Sequence, residues 1–142
     1  MIAVDAGFLF ALVDRRDAWH ERAKAMAPTA TDGWVTTWPV LTEATHLMAR
    51  WVGTEFACAL MDDVAAGGLL VWEPSEELWS RIAPMMRRYA QLPMDLADAS
   101  LVLLAEHLGH GRILSTDERD FRTYRWKRRK PFHNLLPAGA AA

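Results

Sequence analysis

The sequence predicts an α/β domain with a short, mainly parallel central sheet of four to five strands flanked by helices. Three observations predict it. Short apolar runs alternate with longer helical patterns along the chain. Two of those runs, Ile2-Ala3-Val4 and Ile113-Leu114, are closely followed by an aspartate, Asp5 and Asp117. The 142 residues, 51% hydrophobic and 24% charged, suffice for one buried core and lack the composition of a disordered chain.

Met1–Val4 reads as a buried strand, Gly7–Val13 as a short helix, and Ala18–Ala27 as a second helix capped by Asp17. Gly33–Thr36 is the next strand. Pro39 suits the first turn of a helix, where its missing N–H costs nothing. Val40, Ala44, Leu47, Met48 and Trp51 carry that helix to about Trp51, and Gly53 ends it. Thr54–Ala66 is a helix closed by Gly67-Gly68, and Leu69–Trp72 is a strand. Pro74-Ser75-Glu76-Glu77 starts a helix that bends at Pro84 before Tyr89. Asp95–Leu108 is a strongly apolar helix stopped by Gly109 and Gly111. Arg112–Ser115 and Phe132–Leu136 are the last two strands. One domain is expected over residues 1–137, with a frayed tail over 138–142.

The net charge of −2 gives no general attraction to nucleic acid. Its distribution does more. Arg119, Arg122, Arg125, Lys127, Arg128, Arg129 and Lys130 follow one another with only Asp120 against them, interleaved with Phe121, Tyr124 and Trp126. Basic residues bind phosphates and aromatics stack on unpaired bases, so this segment is a candidate contact for RNA or for an acidic protein partner. The lone Cys58 excludes an internal disulfide and is expected to be inert core. The seven Trp are expected to serve core and interface packing. No stretch is apolar for the ~20 residues a membrane span needs. The N-terminus has no basic leader, so a cytoplasmic protein is expected.

The chemistry lies in the acids. Asp5 and Asp117 follow strands and fall at the carboxyl edge of the sheet, where ligands collect in parallel folds. Glu43 lies about one turn into the helix that starts at Pro39, and Asp98 lies in the first turn of the Asp95–Leu108 helix. Helices begin where parallel strands end, so the four converge. Each has a plainer reading: Asp5 as a cap, Glu43 as a solvated face, Asp98 as an acid at a helix N-terminus, Asp117 as a turn starter. Together they imply repulsion of about 4 kcal/mol per pair at ~4 Å. Protonation or a divalent cation must relieve it. An all-oxygen donor set suits Mg²⁺ or Mn²⁺ and hydrolysis of a phosphodiester. His46 shares a helical face with Glu43 but lacks a partner pair, and His20 is expected to cap and pack.

The segments Ile2-Ala3-Val4-Asp5, Asp17-Ala18-Trp19-His20-Glu21-Arg22-Ala23, Leu41-Thr42-Glu43, Asp95-Leu96-Ala97-Asp98-Ala99-Ser100-Leu101 and Leu114-Ser115-Thr116-Asp117-Glu118-Arg119-Asp120-Phe121 occur in that order. In this order they resemble the PIN-domain family, and within it the VapC-type toxin ribonucleases of bacterial toxin–antitoxin pairs. The resemblance spans nearly the whole chain. It implies a PIN-like domain in which Asp5, Glu43, Asp98 and Asp117 hold one or two Mg²⁺ or Mn²⁺ ions and cut single-stranded RNA. It further implies a cognate antitoxin lying over the site, and a homodimer. Asp95, Ser115, Thr116 and Asp120 are expected to support the four acids, Asp95 as an alternative ligand and Asp120 mainly as the cap of a short turn before Phe121. One departure stands out: many relatives carry a hydroxyl residue after the first acid, where this chain has Ala6 and Gly7. Ser115 or Thr116 is then expected to supply that contact.

The alternative is a non-catalytic, receiver-like or partner-binding α/β module. A receiver needs an acidic pair after its first strand and a Lys ending a later one; Ala6-Gly7 follow Asp5, and Lys127 and Lys130 fall in the basic segment. Phosphomonoester hydrolysis by an Asp nucleophile wants Asp-x-Asp after the first strand, and position 7 is Gly.

Overall fold

Five short strands pair side by side in a computed structural model that describes residues 1–137. They are β1 (Ile2–Val4), β2 (Trp34–Thr37), β3 (Leu69–Trp72), β4 (Arg112–Leu114) and β7 (His133–Asn134), in the order β3-β2-β1-β4-β7. Every pairing is parallel, with Ala3 opposite Val35 on one side and Ile113 on the other. The helices are α1 (Ala6–Val13), α2 (His20–Met26), α3 (Trp38–Trp51), α4 (Thr54–Ala65), α5 (Ile82–Arg88), α6 (Leu96–Leu108) and α7 (Glu118–Thr123). A small antiparallel hairpin, β5 (Arg125–Trp126) and β6 (Lys130–Pro131), stands apart from the sheet. The tail expected over 138–142 lies outside the described residues. Among those described, no helix is long and apolar enough to cross a membrane.

Parallel central strands are covered on both faces, which is why β1 and β4 read as unbroken apolar runs. Helix α6 is buried at nine consecutive positions, from Ala97 to Ala105, and packs against α3, α5, β1 and β2. Its apolar character all round is that of a central helix. Phe121 links the C-terminal elements to this core. Its ring meets Tyr124 edge-on at 5.2 Å between centroids and Phe132 at 5.1 Å.

Several expectations need correction. Helix α2 begins at His20, because Asp17 accepts the Trp19 amide at 2.8 Å in a preceding turn instead of capping the helix. The segment from Glu76 is two pieces, a 3₁₀ stretch (Glu76–Arg81) followed by α5, so Pro84 falls in a first turn and bends nothing. Asp120 sits inside α7 and is buried, so it is not the cap of a turn. Cys58 is exposed, because α4 is a peripheral helix with no fully buried residue. Of the tryptophans, Trp126 is buried, whereas Trp38, Trp51 and Trp79 are more than half exposed.

Candidate active site

Asp5 follows the last residue of β1 and caps α1. Its Oδ1 accepts the Ala6 amide at 2.7 Å, and its Oδ2 accepts the Ser115 hydroxyl at 2.8 Å. Ser115, fully buried, follows β4, and its Oγ also accepts the Asp117 amide at 3.0 Å. One hydroxyl therefore ties the first acid to the last. Asn134 holds Ser115 in turn: its Oδ1 accepts the Ser115 amide at 3.2 Å and its Nδ2 donates to the Ser115 carbonyl at 2.9 Å. This side chain continues the β4–β7 ladder past the end of the strand.

Asp98 is fixed from two sides. Asp95 caps α6 and accepts the Asp98 amide at 2.8 Å, while Asp98 Oδ2 accepts the Asp95 amide at 3.2 Å, a reciprocal capping box. The Tyr124 hydroxyl donates to the same Oδ2 at 3.0 Å. Among the described residues no side chain or amide donates to Oδ1, which stays available to a ligand. Glu43 projects from the second turn of α3 and is exposed.

Burial and mutual charge act on these groups in one direction. Burial pushes the Asp5 carboxyl up to about 6, against the Ser115 and Ala6 hydrogen bonds, and the charges of Glu43 and Asp95 raise it further. Asp98 rises to about 8, first by burial, then by the Asp95 charge. Asp117 rises to about 6 through burial and the adjoining Asp120 carboxyl, with Asp5 adding to it. Glu43, exposed on one side, is also raised, by partial loss of water around it and by the charges of Asp95 and Asp117. Each acid feels at least one other, so Asp5, Glu43, Asp98 and Asp117 share one repulsive field with Asp95 and Asp120. Burial and the Asp98 charge raise Tyr124, so its hydroxyl remains a donor.

Thr116 lies on the turn between Ser115 and Asp117. Its Oγ1 lies against Gly7, where any Cβ would collide with it. Gly7 is therefore needed for close approach of the Ser115–Asp117 turn to α1. His20 is buried with Nδ1 on the Ala11 carbonyl at 2.6 Å. The basic residues fall on α7 and the hairpin. Trp126 anchors the hairpin through its Nε1, which donates to the Pro131 carbonyl at 3.0 Å. Sequence spacing did not reveal Asn134 or Tyr124. Gly7, two residues after the first acid, was a legible signal of backbone crowding.

Among the described residues, no three acidic, His or Cys side chains close into a preformed metal cage. Mg²⁺ does not need one: it keeps several waters and takes one or two carboxylates plus phosphate oxygens. Raised carboxyls on an open edge, with Oδ1 of Asp98 available, fit such an ion.

The model of the PIN domain matches residues 2–127. The chain belongs to the PIN-domain family. It is 25% identical over 122 residues to ribonuclease VapC26 of Mycobacterium tuberculosis, across 86% of this chain and 90% of that protein. Its fold is similar to the crystal structure of Mycobacterium tuberculosis VapC20, a Sarcin-Ricin loop cleaving toxin. The TM-score is 0.75 at 22% identity, over 82% of this chain and 90% of that one. In this PIN domain the hydroxyl missing at position 6 is replaced from across the sheet, by Ser115 rather than Thr116.

Proposed function

We propose that this PIN domain is a metal-dependent endoribonuclease, the toxin of a toxin–antitoxin pair, in which Asp5, Glu43, Asp98 and Asp117 hold Mg²⁺ or Mn²⁺. The observation that supports the reading is that four acids from distant segments, Asp5, Glu43, Asp98 and Asp117, are each raised in part by the charge of another of the four. The family match and the ribonuclease named VapC26 support it. No feature of the site favours the receiver-like alternative.

When bound, the cation supplies positive charge against the scissile phosphate and makes water more acidic. The chain's own residues do the positioning. Ser115 fixes the Asp5 carboxylate through Oδ2. Tyr124 and the Asp95 amide fix Asp98 through Oδ2 and leave Oδ1 toward solvent. Exposed Glu43 on α3, within the field of Asp95 and Asp117, can order water. The basic residues Arg119, Arg122, Arg125, Lys127, Arg128, Arg129 and Lys130 meet RNA or antitoxin. The proposal includes a homodimer, a cognate antitoxin protein and residence in the cytoplasm.

The test is cleavage of mixed RNA by purified protein. Activity is expected with Mg²⁺ or Mn²⁺, and none with EDTA or in Asp5→Asn and Asp98→Asn. Undiminished cleavage by Asp98→Asn would remove that residue from the site, and cleavage in EDTA would remove the metal.

A further inference from the structure

We infer that the cavity between α5 and the β5–β6 hairpin is a phosphate subsite, which holds the RNA backbone beside the acidic edge. The inference rests on the ribonuclease reading above. The cavity, about 380 Å³, has four arginines among its lining residues, Arg81, Arg88, Arg125 and Arg128, with Tyr89 and Val102. Its single lining carboxylate, Glu106, is already engaged: Arg81 Nη1 and Nη2 donate to its two oxygens at 2.8 and 3.0 Å. The other three arginines have no acidic partner among the described residues. A surplus of three positive charges around one small cavity calls for an anion, and the planar guanidinium fork matches phosphate oxygens.

The cavity is built in place. Arg125 Nη1 donates to the carbonyls of Arg122, Thr123 and Tyr124 at 2.8, 3.2 and 2.9 Å, which fixes its guanidinium at the end of α7. Arg88 lies over the Tyr89 ring, 5.3 Å from its centroid, and its Nη2 donates to the Arg128 carbonyl at 3.4 Å. Lys127 and Arg128 turn the hairpin at φ of 47° and 66°, where Gly or Asn is usual. Long cations at such positions carry a local backbone cost.

Its position points to RNA rather than to an acidic peptide. The Tyr89 ring that walls the cavity meets the Tyr124 ring edge-on at 5.1 Å, and the Tyr124 hydroxyl holds Asp98. Tyr89 also accepts the Arg125 amide at 3.1 Å. The two rings thus connect the wall of the arginine cavity to Asp98. A strand whose scissile phosphate lies on the acids can bring a neighbouring phosphodiester to the arginines.

Binding of a short labelled single-stranded RNA in EDTA, titrated against salt, tests this without cleavage. Arg88→Ala and Arg128→Ala are expected to weaken binding several-fold. Each should also lower the slope of log Kd against log salt by roughly 0.7, the value for one lost phosphate contact on a single strand. Arg88→Lys, which keeps the charge, should retain the slope, and Arg50→Ala at the far end of α3 should change nothing. Unchanged affinity and slope in the two Ala variants, with cleavage by the parent protein intact, would overturn the subsite and leave the nuclease reading standing. A parent protein that neither binds nor cleaves RNA would overturn both. Variants that keep RNA affinity but lose an acidic synthetic peptide would assign the cavity to a protein partner and overturn the inference.

Discussion

At the carboxyl edge of the sheet, Asp5 and Asp98 are buried and each is held by hydrogen bonds from its own helix start and from a distant hydroxyl, Ser115 or Tyr124. In the β5–β6 hairpin, Lys127, Arg128 and Arg129 are exposed, and two of them turn the chain in a left-handed backbone conformation. The acids are rigid and crowded against like charge. The bases are solvated and carried on a short turn. Rigidity suits a centre that must keep its geometry before any cation or substrate arrives. A solvated turn suits contacts that add affinity through charge alone. Both regions are expected to share one property: each gives up stability, through like charge at the acids and through left-handed backbone at Lys127 and Arg128.

The largest effect should come from separating charge from shape at the acidic edge. Asp98→Asn keeps an oxygen that can accept from Tyr124 and Asp95, yet loses the negative charge. Cleavage is expected to fall by at least ~10²-fold. In EDTA and above pH of about 8, where Asp98 is ionised, the variant should melt at a higher temperature than the parent. Activity assays and thermal denaturation on one preparation decide it. Loss of both activity and stability would mean that Asp98 serves the fold.

The pH dependence follows from the same residues. Burial keeps the proton on these acids to higher pH in the folded chain than in the unfolded one, whose carboxyls titrate near 3.8. Folding therefore takes up protons across this range. Stability is greatest below it and is lost as pH rises through about 6 for Asp5 and Asp117 and about 8 for Asp98. Melting in EDTA should fall by several degrees over that window. Millimolar Mg²⁺, which binds the ionised acids, should restore much of the loss. A melting curve that rises across the same window would contradict the crowding of these groups.

The contrast also explains which parts of the molecule were legible in sequence. Apolar strands ending near acids could be read directly, and Leu69–Trp72 has its predicted bounds because both flanks carry turn residues. The four acids lie on segments with strong local patterns, so their placement near the carboxyl edge could be argued from topology. Helix α7 was missed because Glu118–Thr123 is short and polar, with Phe121 as its single apolar anchor. Asn134 and Tyr124 act across long stretches of chain, one on the amide and carbonyl of Ser115 and the other on one carboxylate, and such contacts leave no periodic trace. Cys58 was placed in the core because its neighbours in sequence are apolar, whereas α4 packs at the periphery, on α3 and β3.

A smaller effect probes how tightly the edge is packed. Gly7→Ala places a methyl group against Thr116 Oγ1, which belongs to the turn between Ser115 and Asp117. The variant should lose ~1–3 kcal/mol of stability and shift the Asp117 turn. Adding Thr116→Ala removes the colliding oxygen and should recover part of the loss in a double-mutant cycle. Denaturant titration of the four proteins measures it. Additive losses would show that the two positions do not meet.

The smallest effect belongs to the hairpin. Arg128 adopts φ of 66°, a conformation that Asn tolerates far better than a long side chain without a local hydrogen-bonding group. Arg128→Asn should therefore raise stability by a few tenths of a kcal/mol up to ~1 kcal/mol, while RNA binding weakens. The two changes oppose each other, as they do in Asp98→Asn, although charge repulsion is relieved in one and backbone strain in the other. If Arg128→Asn lowers the melting temperature, the guanidinium must itself brace the hairpin. The resemblance between the two regions would then fail, because the acidic edge alone would trade stability for chemistry.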